Sequence, residues 1–119
     1  METVTPINLF DTNSVDGVLV VHLVDSYMVQ AQSLGLVSQQ FEKLLAGSTH
    51  FVLDFESVEH LCSAMIGELI RFSKLVQAKG GHLILCSLKP QIHEVFRLLR
   101  LEKMFPISTD APSAIRALR

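Results

Sequence analysis

His60, Cys62 and Ser63 are the residues in this sequence whose types and spacing most resemble a reactive site. A thiol or hydroxyl acts as a nucleophile when a base lies within hydrogen-bonding distance and a third group orients that base. Closeness in sequence does not establish this arrangement in space, and no Gly-x-Ser-x-Gly elbow surrounds Ser63. We therefore expect the protein not to be an enzyme.

The histidines and paired glycines do not have the spacing of a ligand site. Metal-binding histidines often occur as HxH, HxxxH or HExxH, and none of these patterns is present. The five histidines are His22, His50, His60, His82 and His93. Gly80 and Gly81 belong to no GxGxxG or phosphate-loop lysine motif, so we interpret them as the end of a helix. We predict no metal and no cofactor.

Ser63 has two interpretations, because a predicted helix begins beside it. Its hydroxyl can accept a hydrogen bond from an unpaired N–H group of the first turn, which is the structural role of an N-cap. A phosphate on Ser63 would also be held by the positive end of the helix and would add charge to a binding surface. Both interpretations stay open from the residues alone.

Composition excludes several classes of function. The 119 residues suffice for one compact domain spanning positions 1–119, and a hydrophobic fraction of 49% predicts a substantial core. The ten basic and 12 acidic residues are spread along the chain, so no basic stripe is available for nucleic acid. No apolar run reaches the roughly 18 to 20 residues of a membrane span. Cys62 and Cys86 fit a reducing compartment, so we expect a cytoplasmic protein with both cysteines buried.

Hydrophobic periodicity predicts alternating strands and helices. The predicted strands are Val18–Val24, His50–Phe55, His82–Cys86 and Met104–Ile107. The predicted helices are Ser33–Ala46, Ala64–Lys79, one that begins at Lys89-Pro90 and one capped by Asp110. This order predicts an α/β domain with a mostly parallel sheet of about four to five strands and about four helices.

Five short segments between His50 and Leu118 together resemble the STAS domain, which sulfate transporters and anti-sigma factor antagonists share. They are the strand VLDF with the following connection, the loop-to-helix segment CSAMIG, the KGG turn before HLILC, the KP helix start and RLEKMFPI. The resemblance implies a regulatory role in bacterial signal transduction and transcription regulation through protein–protein interaction. The implied partner is an anti-sigma factor or a related serine kinase-like protein.

In members of this family, phosphorylation of a serine or threonine blocks partner binding. The family pattern is Asp-Ser-Ser/Thr-Gly-Leu-Gly, and its second hydroxyl residue accepts the phosphate. Aligned without gaps, Cys62 replaces the aspartate, Ser63 matches the first serine and Ala64 occupies the phosphoacceptor position. The resemblance therefore implies an antagonist that lacks the usual acceptor, with Ser63 as the remaining possible phosphorylation site. Arg100 stands where many members have glycine, so the loop there is expected to differ.

The resemblance also places a partner-binding surface at the start of the predicted helix and in the loop before it. The residues expected to form that surface are Cys62, Ser63, Ala64, Met65 and Glu68. The alternative function is a STAS scaffold subunit of a larger signalling or lipid-transport complex, which the missing acceptor favours. Neither function requires insertion into a membrane, and the oligomeric state is left open.

Overall fold

The computed structural model describes residues 10–23 and 34–118. Its strands are β1 (Phe10–Val15), β2 (Val18–Leu23), β3 (His50–Asp54), β4 (His82–Cys86) and β5 (Ile107–Ser108). Its helices are α1 (Leu34–Gly47), α2 (Ser63–Ala78), α3 (Pro90–Leu98) and α4 (Ala111–Leu118), with a 3₁₀ turn at Leu101–Lys103. The predicted α/β class with a mostly parallel sheet is confirmed. Val24 and Ser33, the outer ends of two predicted elements, lie outside the described residues.

The five strands follow one another across the sheet in chain order, and only β1 is antiparallel to its neighbour. Sequence analysis missed β1, which joins β2 through a two-residue turn at Asp16 and Gly17. Both turn residues have positive φ, at 52° and 80°, as the favoured hairpin turn requires. The sheet therefore begins with a hairpin and continues as parallel strands connected by helices.

The parallel strands are buried on both faces, which explains their nearly continuous apolar sequences. On one face, Phe51 and Phe72 meet edge to face, and Phe72 stacks on Phe41 of α1 with ring centroids 4.3 Å apart. The opposite face of the sheet packs against Ala114 of α4, which is fully buried. Helices α1, α2 and α3 cover the larger core, and α4 covers the smaller one.

The C-terminal end of α2 is fixed by the two glycines that the sequence placed there. Gly80 adopts a left-handed φ of 74°, and its N–H donates to the Gln77 carbonyl. The N–H of Gly81 donates to the Val76 carbonyl at 2.9 Å, which completes a Schellman motif. A Cβ on Gly81 would lie 1.9 Å from the Thr49 carbonyl oxygen. The prediction that the glycines end the helix is confirmed. Gly81 is also required sterically, because a side chain there would collide with Thr49.

The segment after α3 differs from the prediction. Of the expected strand Met104–Ile107, only Ile107 lies in a strand, β5, because Phe105 turns into the core with 1% of its surface exposed. Arg100 adopts a left-handed backbone with φ 59° and ψ 33°. This conformation suits glycine, so Arg100 keeps the backbone of a glycine position despite its side chain.

Candidate functional site at the start of helix α2

The connection from β3 to α2 is anchored to the sheet before it reaches the surface. The Phe55 N–H donates to the Cys86 carbonyl, and the Val58 N–H donates to the Phe55 carbonyl. Phe55 and Val58 are fully buried, whereas Glu59 and His60 are exposed. The connection therefore presents its last residues and the first turn of α2 at a fixed place above the carboxyl ends of the parallel strands.

The start of α2 corrects two predictions. Helix α2 begins at Ser63 itself, and Cys62 is the N-cap residue with extended backbone, φ −89° and ψ 159°. Ser63 is therefore the first helical residue and not the N-cap. Within the described chain, the Cys62 side chain makes no capping hydrogen bond to α2. The structure also exposes Cys62, against the prediction that both cysteines are buried, whereas Cys86 is buried as predicted.

The structure separates the five residues expected at the partner surface. Cys62, Ser63 and Ala64 are exposed and follow one another at the helix start. Met65 is fully buried in the larger core, because the helical period turns it toward the sheet with Leu69. The expectation that Met65 contributes to the surface is therefore corrected.

Gly67 is an exposed glycine inside α2, one turn after Ser63. A Cβ built on Gly67 meets no heavy atom of the described chain within 4 Å. Glycine in a helix interior lowers stability by about 0.5 to 1 kcal/mol relative to alanine. Packing and backbone geometry therefore do not require glycine at this position.

Glu68 borders this surface and belongs to a polar cluster that links α2 to α1. Arg71 donates to the Ser38 hydroxyl at 2.6 Å and to Glu42 Oε2 at 3.0 Å, and its Nη1 lies 3.8 Å from Glu68 Oε1. The Glu68 side chain is 23% exposed. Glu68 Oε1 is buried and makes no hydrogen bond within the described residues. Glu68 is thus a partly buried carboxylate at the edge of the exposed helix start.

The side chains of His22 and Asp54 form a polar pair that sequence analysis did not identify. His22 Nδ1 lies 2.9 Å from Asp54 Oδ2, and Asp54 Oδ1 accepts the Glu56 N–H at 2.9 Å. The parallel register places His22 beside Asp54, and Asp54 beside Cys86. A polar residue near the carboxyl end of each of two neighbouring parallel strands, His22 in β2 and Asp54 in β3, is the signal that could have identified this pair.

Cys86 does not turn the pair into a nucleophilic site. Burial is the main cause that raises the pKa of the Cys86 thiol to about 12, and the negative charge of Asp54 adds to it. A thiol with this pKa is protonated at neutral pH and is a poor nucleophile. The geometry supports a structural role for the His22–Asp54 pair in holding the turn after β3.

The described residues offer neither a metal site nor a membrane-spanning helix. In residues 10–23 and 34–118, no group of three or more histidine, cysteine or acidic side chains is placed to hold a metal ion. Of the helices in the described part of the chain, none combines the length and apolar character that a membrane span needs.

Comparison with known proteins gives a consistent result. The model of the STAS domain family matches residues 10–114. A Bordetella bronchiseptica protein named as a candidate anti-sigma factor antagonist, BtrV, is 25% identical over 107 residues, 90% of this chain and 91% of that protein. The anti-sigma F factor antagonist of Paenibacillus polymyxa is 26% identical over 104 residues, 86% of this chain and 87% of that protein.

A solved structure shows the same fold. The crystal structure of a candidate anti-sigma factor antagonist from Thermotoga maritima superposes with a TM-score of 0.84 at 20% identity, covering 92% of this chain and 94% of that one.

Proposed function

This chain belongs to the STAS domain family, and we propose that it is a non-catalytic regulatory module that binds an anti-sigma factor or a related serine kinase-like protein in the cytoplasm. The observation that carries the proposal is the exposed start of α2, at the position where the family pattern places its phosphoacceptor. Relatives named as anti-sigma factor antagonists align over most of both chains, which supports the same role here.

The proposed partner surface consists of Cys62, Ser63, Ala64, Gly67 and Glu68. The first four residues are small and exposed, so a partner backbone can approach the helix closely. Glu68 supplies a carboxylate at the border. The exposed part of this carboxylate favours a partner that brings a positively charged or N–H donor group to this edge.

The proposed module lacks the family's phosphorylation switch. A phosphate opposes binding by bringing nearly two negative charges and considerable bulk into an interface. Ala64 has no hydroxyl, so this repulsion cannot arise at the acceptor position. Successive helical residues point about 100° apart, so a phosphate on Ser63 would leave the helix in a different direction. The protein would then bind its partner without regulation by a kinase.

The test compares partner binding before and after treatment with kinase. The purified protein is titrated by calorimetry with each serine kinase-type anti-sigma factor encoded in the same genome, with and without ATP. We expect ATP to leave the affinity unchanged. In a Ser63→Ala background, Ala64→Ser should accept one phosphate and then lose binding, because the acceptor has been restored. Stoichiometric phosphate on Ser63 of the wild-type protein, with loss of binding, would contradict the proposed absence of a switch.

The same titrations address the alternative function. The missing acceptor at Ala64 also suits a scaffold subunit of a larger signalling or lipid-transport complex, because such a subunit needs no switch. If no anti-sigma factor binds, and the protein instead copurifies stoichiometrically with subunits of such a complex, the scaffold function replaces the proposed one. In both cases Ala64→Glu should weaken binding if the surface is correct.

A further inference from the structure

The β4 strand is covered by β5 along only part of its length. The register pairs Leu85 with Ile107 and Cys86 with Ser108, and the described pairing extends no further toward the start of β4. On the other side, β3 pairs with all five residues of β4. The first half of β4 therefore forms an open edge of the sheet, at the end opposite the start of α2.

Leu83 is the residue whose backbone faces this open edge. Successive residues of a parallel strand direct their backbone groups to alternate sides. His82 donates to Thr49, and Cys86 accepts from Phe55, so the even-numbered residues pair toward β3. Leu85 donates to Pro106 on the other side. By this alternation, the N–H and carbonyl groups of Leu83 point away from β3, and no described residue of β5 pairs with them.

Pro106 explains why the pairing stops. To continue the β4–β5 ladder by one step, the Leu83 carbonyl would accept a hydrogen bond from the backbone nitrogen of residue 106. Proline has no N–H group and cannot donate this bond. The open edge is therefore fixed by sequence, and its unpaired backbone groups can pair with another extended chain.

A groove of about 390 Å³ lies at this edge and passes between the two helical layers. Val76 and Gln77 of α2 line one side, and Ala117 and Leu118 of α4 line the other. Side chains of an added strand alternate between the two faces of a sheet. One face of the groove would receive apolar side chains against Met104, on the side of the larger core, and the other would receive them against Leu118, on the side of the smaller core.

The charge of the groove determines which extended peptides are complementary to it. His82 and Lys103 line it and are exposed, and its lining includes no acidic residue. The ion pairs found among the described residues do not include Lys103. A peptide that carries an acidic residue beside its apolar ones is therefore complementary to this edge.

We propose that the open edge of β4 binds an extended acidic peptide segment of another protein, which adds to the sheet as a strand beside Leu83. The expected segment has β-branched or other apolar residues in alternation and a carboxylate that reaches Lys103. The backbone hydrogen bonds to Leu83 supply affinity, and the groove on either side of the sheet supplies selectivity. Ser73 of α2 also lines the groove, and at 1.5 Å per residue it lies about 15 Å along the helix from Ser63. The site is therefore separate from the proposed partner surface.

The probe is a display library of random octapeptides selected on the full-length protein. Selected peptides should be acidic with alternating apolar residues, and they should shift the Leu83 amide resonance and slow its hydrogen exchange. Methylation of the peptide backbone nitrogen opposite Leu83 should abolish binding. Ala64→Glu should leave peptide affinity unchanged, because it alters only the other surface.

Two variants of the groove test its chemistry. Lys103→Glu should weaken the selected peptides about tenfold, whereas Lys43→Glu on the distant α1 surface should have no effect. Pro106→Ala restores an N–H that can pair with Leu83, so it should also reduce peptide affinity while the protein stays folded. Peptides that leave the Leu83 amide unchanged, or equal affinities for both lysine variants, would overturn the proposal. A concentration-dependent dimer that protects the Leu83 amide would overturn it as well, because a second copy would then occupy the edge.

Discussion

The two ends of helix α2 are built in opposite ways. At the C-terminal end, Gly80 and Gly81 complete a Schellman motif, and Gly81 passes so close to Thr49 that no side chain fits. At the N-terminal end, Cys62 supplies no capping hydrogen bond, and Gly67 has open space around it. Stability accounts for the residues at the C-terminal end but not for those at the N-terminal end. This difference supports the proposed partner surface at the N-terminal end of α2.

The largest effect is expected from a substitution at the C-terminal end of α2. Gly81→Ala places a Cβ against the Thr49 carbonyl oxygen, at 1.9 Å if nothing moves. We expect it to lower the free energy of unfolding by roughly 3 kcal/mol, in the upper part of the range for overpacking. Urea unfolding measures the change. Gly47→Ala is the matched control, because a Cβ there meets nothing within 4 Å of the described chain. Equal stability of the two variants would show that Gly81 does not pass this close to the Thr49 carbonyl.

A smaller effect of opposite sign is expected at the N-terminal end. Cys62→Asp introduces the residue of the family pattern, whose carboxylate can accept an N–H of the first turn and favours the positive helix end. The free energy of unfolding should rise by about 1 kcal/mol. Cys62→Ala is the control, because it removes the thiol without adding a cap. If Cys62→Asp is no more stable than Cys62→Ala, capping by the carboxylate is refuted.

Gly67→Ala should also stabilise the protein, by about 0.5 to 1 kcal/mol, because alanine has the higher helix propensity. If the proposed surface is correct, the added methyl group should at the same time weaken partner binding severalfold by holding the partner away from the helix. Thermal unfolding and calorimetry on one sample measure both quantities. A variant that is more stable and binds equally well would remove Gly67 from the surface.

The smallest effect on stability is expected at the start of α4. Unlike α2, this helix has a side-chain N-cap, Asp110. Asp110 Oδ1 accepts the Ser113 N–H at 2.9 Å, and this bond is the main cause that lowers the carboxyl pKa below its usual 3.8. A lowered folded-state pKa contributes stability above the unfolded value and loses it as the pH falls through the folded value. The Asp110→Ala variant should be less stable at neutral pH, and the difference should shrink in acid. A pH-independent difference would contradict this account.

The sequence predicted the parallel part of the fold because each of its strands and helices carries a strong apolar pattern. It missed β1 because Asp11, Thr12, Asn13 and Ser14 are exposed residues of turn-like composition, held in a strand by pairing with β2. The Asp-Gly pair at the turn was the available signal. The sequence could not predict the shortness of β5, because Phe105 looks equally apolar in a strand or in a turn that enters the core.

The position of the candidate site comes from the family pattern, and the structure changes its details. The family pattern located it at the start of α2, and the structure shifted the helix start by one residue, which moved the N-cap from Ser63 to Cys62. The burial of Met65 follows from the register of the helix against the sheet, which depends on packing partners distant in sequence. The His22–Asp54 pair was missed for the same reason, since 32 residues separate its members.

The hairpin of β1 and β2 has a consequence for how the chain is made. It needs only a two-residue turn, so it can close within about 1 to 10 μs. At roughly 5 to 20 residues per second, synthesis from Leu23 to His50 takes about 1 to 5 s. During that interval the apolar β2 strand has no β3 beside it, and pulse-labelled hydrogen exchange on stalled nascent chains could show whether β1 already pairs with it. The polar strand β1 can thus pair with one edge of β2 during synthesis. In that period the nascent chain lies close to other nascent chains on the same polysome, and an unpaired edge could associate with them.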